Sequence, residues 1–144
     1  MDSLQAHQDY LLEAWAAAQA APLSVRKAML VAGLLDAQVD RLFTRDAGDI
    51  LAFRAIMAEQ SPALGAVMAL CSRRDGFDVV VEAVAVPLSA YQQLSVQDFM
   101  VSLYNDHTVQ KLNLVLPDGA RREMHGVLSK ALDALKVALN NPTR

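Results

Sequence analysis

Apolar residues recur with helical spacing along the first half of the chain, and the period changes once, at Arg73-Arg74-Asp75-Gly76. Leu4, Leu11, Trp15 and Ala18 fall on one face of a first helix, which Asp2 or Ser3 is placed to cap and Pro22 ends. Ser24 caps a second helix with Val25, Met29, Ala32, Val39, Leu42 and Phe43 along one stripe. Its middle, Ala28 to Leu35, is apolar nearly all round, which predicts a central helix buried on more than one side. Asp46-Ala47-Gly48-Asp49 reads as a turn, and Asp49 is placed to cap a third helix through Ile50, Phe53, Met57 and Glu59. Ser61-Pro62, a cap followed by proline at the first helical position, restarts the chain as a fourth helix. There Leu64, Val67, Met68 and Cys71 succeed one another at i, i+3, i+4 and i+7. Arg73 and Arg74 complement its negative end, and Gly76 is placed to supply a left-handed stop.

The next segment, Phe77 to Pro87, is a β-branched run that suits a strand. It carries apolar residues on both faces, broken only by Asp78 and Glu82, and so calls for cover from two sides. Ser95-Val96-Gln97-Asp98 resembles a capping box and favours a short helix over residues 95–104, although alternation of Phe99, Val101 and Leu103 also allows a strand. Asn105-Asp106-His107-Thr108 is a turn, and the alternation from Gln110 to Leu116 predicts a half-buried strand. Pro117-Asp118-Gly119 turns the chain back for a short strand, Ala120 to Met124. The last helix sets Val127, Leu128, Ala131, Leu132, Leu135, Ala138 and Leu139 opposite Lys130, Asp133 and Lys136, and Asn140-Asn141-Pro142 stops it. The pattern predicts one α+β domain over residues 1–144: four N-terminal helices, a small mainly antiparallel sheet with strands near 77–87, 109–116 and 120–124, and an amphipathic C-terminal helix.

A chain of 144 residues is long enough to bury about 70% of its unfolded surface in a single core. The hydrophobic fraction of 53% and mean hydropathy of +0.20 lie on the apolar side for a soluble protein. Two readings compete: a large core helped by alanine on helix surfaces, or an extra apolar face turned to another chain. The net charge of −3, with the acidic excess in the first half, lacks the basic footprint of a nucleic-acid or anionic-membrane binder. A lone Cys71 excludes an internal disulfide framework and a cysteine zinc site. The acidic start and the charges that interrupt every apolar stretch point to the cytoplasm, and the arginine- and alanine-rich composition to a bacterial source.

Candidate chemistry is sparse. Asp106-His107 with Asp98 nearby could hold an imidazole tautomer, but ordinary turn composition explains the same residues and no nucleophile has a motif beside them. Arg121-Arg122 could grip a phosphate or carboxylate, although arginines on a hairpin edge commonly serve solubility. His7, His107 and His125 lack partner spacing for a metal and read as solvated or capping residues. Cys71 reads as a small buried hydrophobe, Tyr10 and Trp15 as core rather than interface, and no glycine-rich phosphate loop exists. The helix from Pro62 to Ser72 has nothing to read base edges.

The chain therefore reads as a small cytosolic, non-enzymatic binding or assembly protein, adaptor or chaperone-like. It is expected to be homodimeric through an apolar helix or sheet face, with itself or another protein as partner and with no cofactor, metal, nucleic acid or membrane. The alternative is a small enzyme or ligand-binding protein with a pocket between helices and sheet near Asp98, Asp106, His107 and Arg121, with Arg122 beside it.

Overall fold

The computed structural model describes residues 3–43, 48–72, 76–85, 94–98, 100 and 108–140. Four helices come first: α1 (Ser3–Ala20), α2 (Val25–Leu42), α3 (Ile50–Gln60) and α4 (Pro62–Cys71). Strand β1 (Asp78–Ala85) is next, then a short helix α5 seen at residues 96–98 and 100. Strands β2 (Thr108–Val115) and β3 (Arg121–Glu123) and helix α6 (Met124–Leu139) complete the chain. The fold is α+β, with a three-stranded antiparallel sheet in the order β1-β2-β3.

Local chemistry sets the boundaries. Ser24 accepts a hydrogen bond from the Lys27 N–H at 3.1 Å, Asp49 from Leu51 at 3.2 Å and Ser61 from Leu64 at 3.2 Å, so these three expected caps are made, while Ser3 is itself the first residue of α1. Arg73 and Arg74 lie outside the described residues, as do Asp2 and the first two residues of the expected turn, Asp46 and Ala47. Gly76 is left-handed, with φ of +95°, but α4 already ends at Cys71 with Ser72 as its cap. The glycine therefore turns the chain into β1 rather than stopping α4. A Cβ at Gly76 would come within 3.0 Å of Pro117, so this turn also packs tightly on the β2–β3 hairpin. That hairpin closes through Leu116 N–H to Ala120 O at 2.8 Å. Its third strand is shorter than expected because Met124, fully buried, already belongs to α6.

The center of the core is α2, which touches α1, α3, α4, α6 and β1. Its buried stripe is Ala28, Val31, Ala32, Leu35, Gln38, Val39 and Leu42. The expected stripe holds at Ala32, Val39 and Leu42, but Val25 is 38% exposed, and Leu30 in the nearly all-apolar middle is 48% exposed, so the middle is covered on one broad side only. In the sheet, Val79, Leu112 and Leu114 face the helices and are buried, while Val80, Glu82 and Val84 point the other way. The helical layer covers only the start of β1, since Val81, on the same side as Val79, is 43% exposed. Among the described residues, no helix is long and apolar enough to cross a membrane.

Candidate functional site

Asp106 and His107 lie outside the described residues, and the other members of the expected cluster do not converge. Arg121 sits on the sheet face away from the helices. Its Nε donates to Glu82 Oε1 at 2.7 Å and its Nη1 to the Gly119 carbonyl at 3.0 Å. The same Glu82 oxygen accepts a hydrogen bond from buried Asn113 at 2.8 Å. Donation from Asn113 and Arg121 holds the Glu82 carboxyl below the ordinary range, with the Arg121 charge adding to it and desolvation opposing. Arg121 is thus a cross-strand clasp.

Arg122 points to the opposite side, where it and Lys130 border a groove of about 590 Å³ between the α3–α4 corner and α6. Asp98, whose N–H donates to Ser95 Oγ at 3.1 Å as the capping box requires, borders a different cavity of about 820 Å³. That cavity lies between the α1–α2 turn, β2 and the start of α6, beside Lys111, Glu123 and His125. Arg121 borders neither space.

The two described histidines are tertiary ties, which corrects their reading as solvated or capping residues. The His7 Nδ1–H donates to Gln38 Oε1 at 2.6 Å, since an amide oxygen only accepts. Gln38 in turn donates to Gln8 Oε1 at 3.0 Å, and both glutamines are buried. Two helices are therefore locked in register by a polar chain that hydropathy alone does not reveal. His125 lies against Trp15, with ring centroids 5.5 Å apart, and its Nε2 donates to the Pro22 carbonyl at 3.1 Å. No group of three His, Cys, Asp or Glu side chains among the described residues is arranged to hold a metal ion. Burial, with the negative Asp36 nearby, pushes the Cys71 thiol up to about 11 while Arg54 pulls the other way. It is a protonated thiol at neutral pH and an inert one.

The least expected surface is on α3. Its Met57 is the only buried residue of the helix, and Phe53 meets Phe43 edge-on with centroids 5.6 Å apart. Arg54 reaches back to α2, pairing with Asp36 and, at 2.8 Å, with Asp40. Burial opposes its charge, but the two carboxylates outweigh that and raise the guanidinium pKa. The remaining face turns Leu51, Ala52, Ala55 and Ile56 outward, with Leu51 71% and Ile56 51% exposed. The spacing of Ile50, Phe53 and Met57 gives a third helix but no reason to expect a second apolar face behind them. No protein-family model matches the chain, and no curated protein or solved structure is significantly similar to it.

Proposed function

We propose that the protein is a non-enzymatic binding or assembly protein that pairs with a second copy of itself through α3. One observation carries the reading: the outward face of α3 is apolar, uncharged at its middle, and self-complementary in size. In an isologous pair, residue i meets residue j and j meets i. Two copies of α3 crossing antiparallel about their midpoint set Leu51 against Ile56 and Ala52 against Ala55. The alanines at the crossing allow the close approach of about 8 Å that small residues permit, and the large residues pack on either side. The charged residue in the middle of the helix, Arg54, is already turned toward Asp36 and Asp40. Glu59 falls opposite exposed Gly48 and beside Asp49, so the one approach of like charges lies at the exposed ends of the seam and not at its middle.

An eleven-residue helix is about 16 Å long, and a stable interface buries about 800 Å² on each partner. The α3 face supplies only part of that area, so the expected dimer is a weak one that dissociates on dilution. Sedimentation velocity over a wide concentration range tests it. A reversible monomer–dimer transition is expected, and Leu51→Glu or Ile56→Glu abolishes it without unfolding the chain, since both side chains already stand in water. A wild-type protein that stays monomeric at the highest concentration, or variants that dimerize unchanged, rejects the reading.

A further inference from the structure

We propose that the groove between the α3–α4 corner and α6 binds a small amphiphilic monoanion, an apolar chain that ends in a carboxylate. One wall is the start of α4, and the other is built by Leu116, β3 and the first turns of α6. Its volume of about 590 Å³ lies within the range of about 300–1,000 Å³ common to small-ligand sites. That space suits one short chain with its head rather than a two-chain lipid.

The walls select an apolar tail. Pro62, Ala63 and Ala66 face Leu116 and Val127 across the groove, and the small side chains of α4 leave the room between them. On the first turn of α6, Gly126 also borders the groove, and a Cβ placed there would meet nothing within 4 Å.

Charge selects the head. Arg122 stands opposite Leu114 in the β2–β3 register, so it lies on the helix side of the sheet, where alternation calls for an apolar residue. Leu114 is fully buried there, whereas Arg122 is exposed and reaches the groove. Its Nη1 donates to the Arg121 carbonyl at 3.2 Å, which steadies the fork and leaves its other donors without a described partner. Lys130, exposed on α6, is the second cation at the groove. Neither makes an ion pair with a carboxylate among the described residues. Glu123 is the one acid among the described residues of the lining, so two positive charges against one negative leave a net of one. A single carboxylate cancels that charge, and its two oxygens match the arginine fork.

Octanoate, octanol, octylamine and acetate, titrated into the full chain, separate the head from the tail. Binding is followed by calorimetry and by amide chemical shifts. Octanoate is expected to bind saturably, at least about tenfold more tightly than octanol, with shifts centered on residues 60–66 and 122–130. Octylamine carries the wrong charge and acetate has no tail, so both should bind too weakly to saturate. Arg122→Met and Lys130→Met, at exposed positions, should each weaken octanoate severalfold and leave octanol unchanged. Gly126→Leu should abolish octanoate binding while the urea midpoint holds or rises, since a helical glycine is replaced by a better helix former. No saturable binding of octanoate, equal binding of octanol or acetate, shifts centered elsewhere, or indifference to these three variants overturns the proposal. Arg122 would then serve only to guard the β3 edge against pairing.

Discussion

Helices α2 and α3 invert the expected relation between apolar content and burial. The eighteen residues of α2 include Arg26, Lys27, Asp36, Asp40 and Arg41, yet seven of them are buried. The eleven residues of α3 include only Arg54 and Glu59 as charges, yet Met57 alone is buried. Spacing makes the difference. In α2 the charges gather on one side and leave a continuous stripe that α1, α4 and α6 cover. In α3 the apolar residues run all round, while α2 and α4 press on one side of it. Amphipathic period places a helix in a core, whereas apolar content beyond that period becomes surface that a partner can use.

The strongest way to break this contrast is to cut the α2 stripe. Leu35 is fully buried, and Leu35→Ala is expected to cost about 2–5 kcal/mol, read as a drop in the urea midpoint with little change in slope. A loss below about 1 kcal/mol would mean that α2 is not the center of the core. The next effect belongs to the polar chain inside the same stripe. Gln38→Leu removes the partner of both His7 and Gln8 and should cost about 1–3 kcal/mol, because it strands a buried amide. Adding Gln8→Leu should recover part of that loss, because the two buried positions then match again. A double variant that is simply the sum of its parts would show that the glutamines act separately.

Much of this was legible in the sequence because it is local. The caps at Ser24, Asp49 and Ser61 need only their next two or three residues, and the β-branched run that forms β1 declares itself by composition. The phase of α2 was legible in part: its charges leave Ala32, Val39 and Leu42 on the inward side, but the nearly all-apolar run from Ala28 to Leu35 does not by itself say that Val31 and Leu35 are inside and Leu30 is not. Burial of Gln8 and Gln38 depends on each other across two helices, which no pattern of apolar positions records. Arg121 was visible as an edge cation, but its partner Glu82 lies 39 residues away and is set by the β1–β2 register. Asp106 and His107, the most suggestive pair in the sequence, lie outside the described residues.

Arg54 joins the two helices being compared, and its removal is expected to cost about 0.5–1 kcal/mol, because the pair with Asp40 is half in water and screened. Arg54→Met keeps the packing of the alkyl stem and frees Asp36 and Asp40 to repel each other. The loss should shrink in high salt, and a salt-independent loss would point to packing instead. A second readout is independent of stability. Arg54 is the cation that pulls the Cys71 thiol down, so without it the thiol should rise further above about 11. Alkylation at pH 9 then slows relative to wild type, whereas faster alkylation would mean that losing Arg54 opens the site.

The smallest effect on stability is expected where the side chain is most exposed and most apolar. Leu51→Gln on α3 should change the unfolding free energy by no more than about 0.5 kcal/mol, since the residue is 71% exposed and leaves little behind. The same change replaces the more exposed of the two large apolar side chains on the outward face, so the concentration at which the protein pairs should rise several-fold. Leu35→Ala should do the reverse, lowering stability while leaving the outward face of α3 intact. If Leu51→Gln instead destabilizes the monomer as Leu35→Ala does, then α3 is held by contacts on its outer side and is not free to pair. An unchanged monomer with weakened pairing would place the apolar excess of this chain where periodicity left it, on the surface of α3.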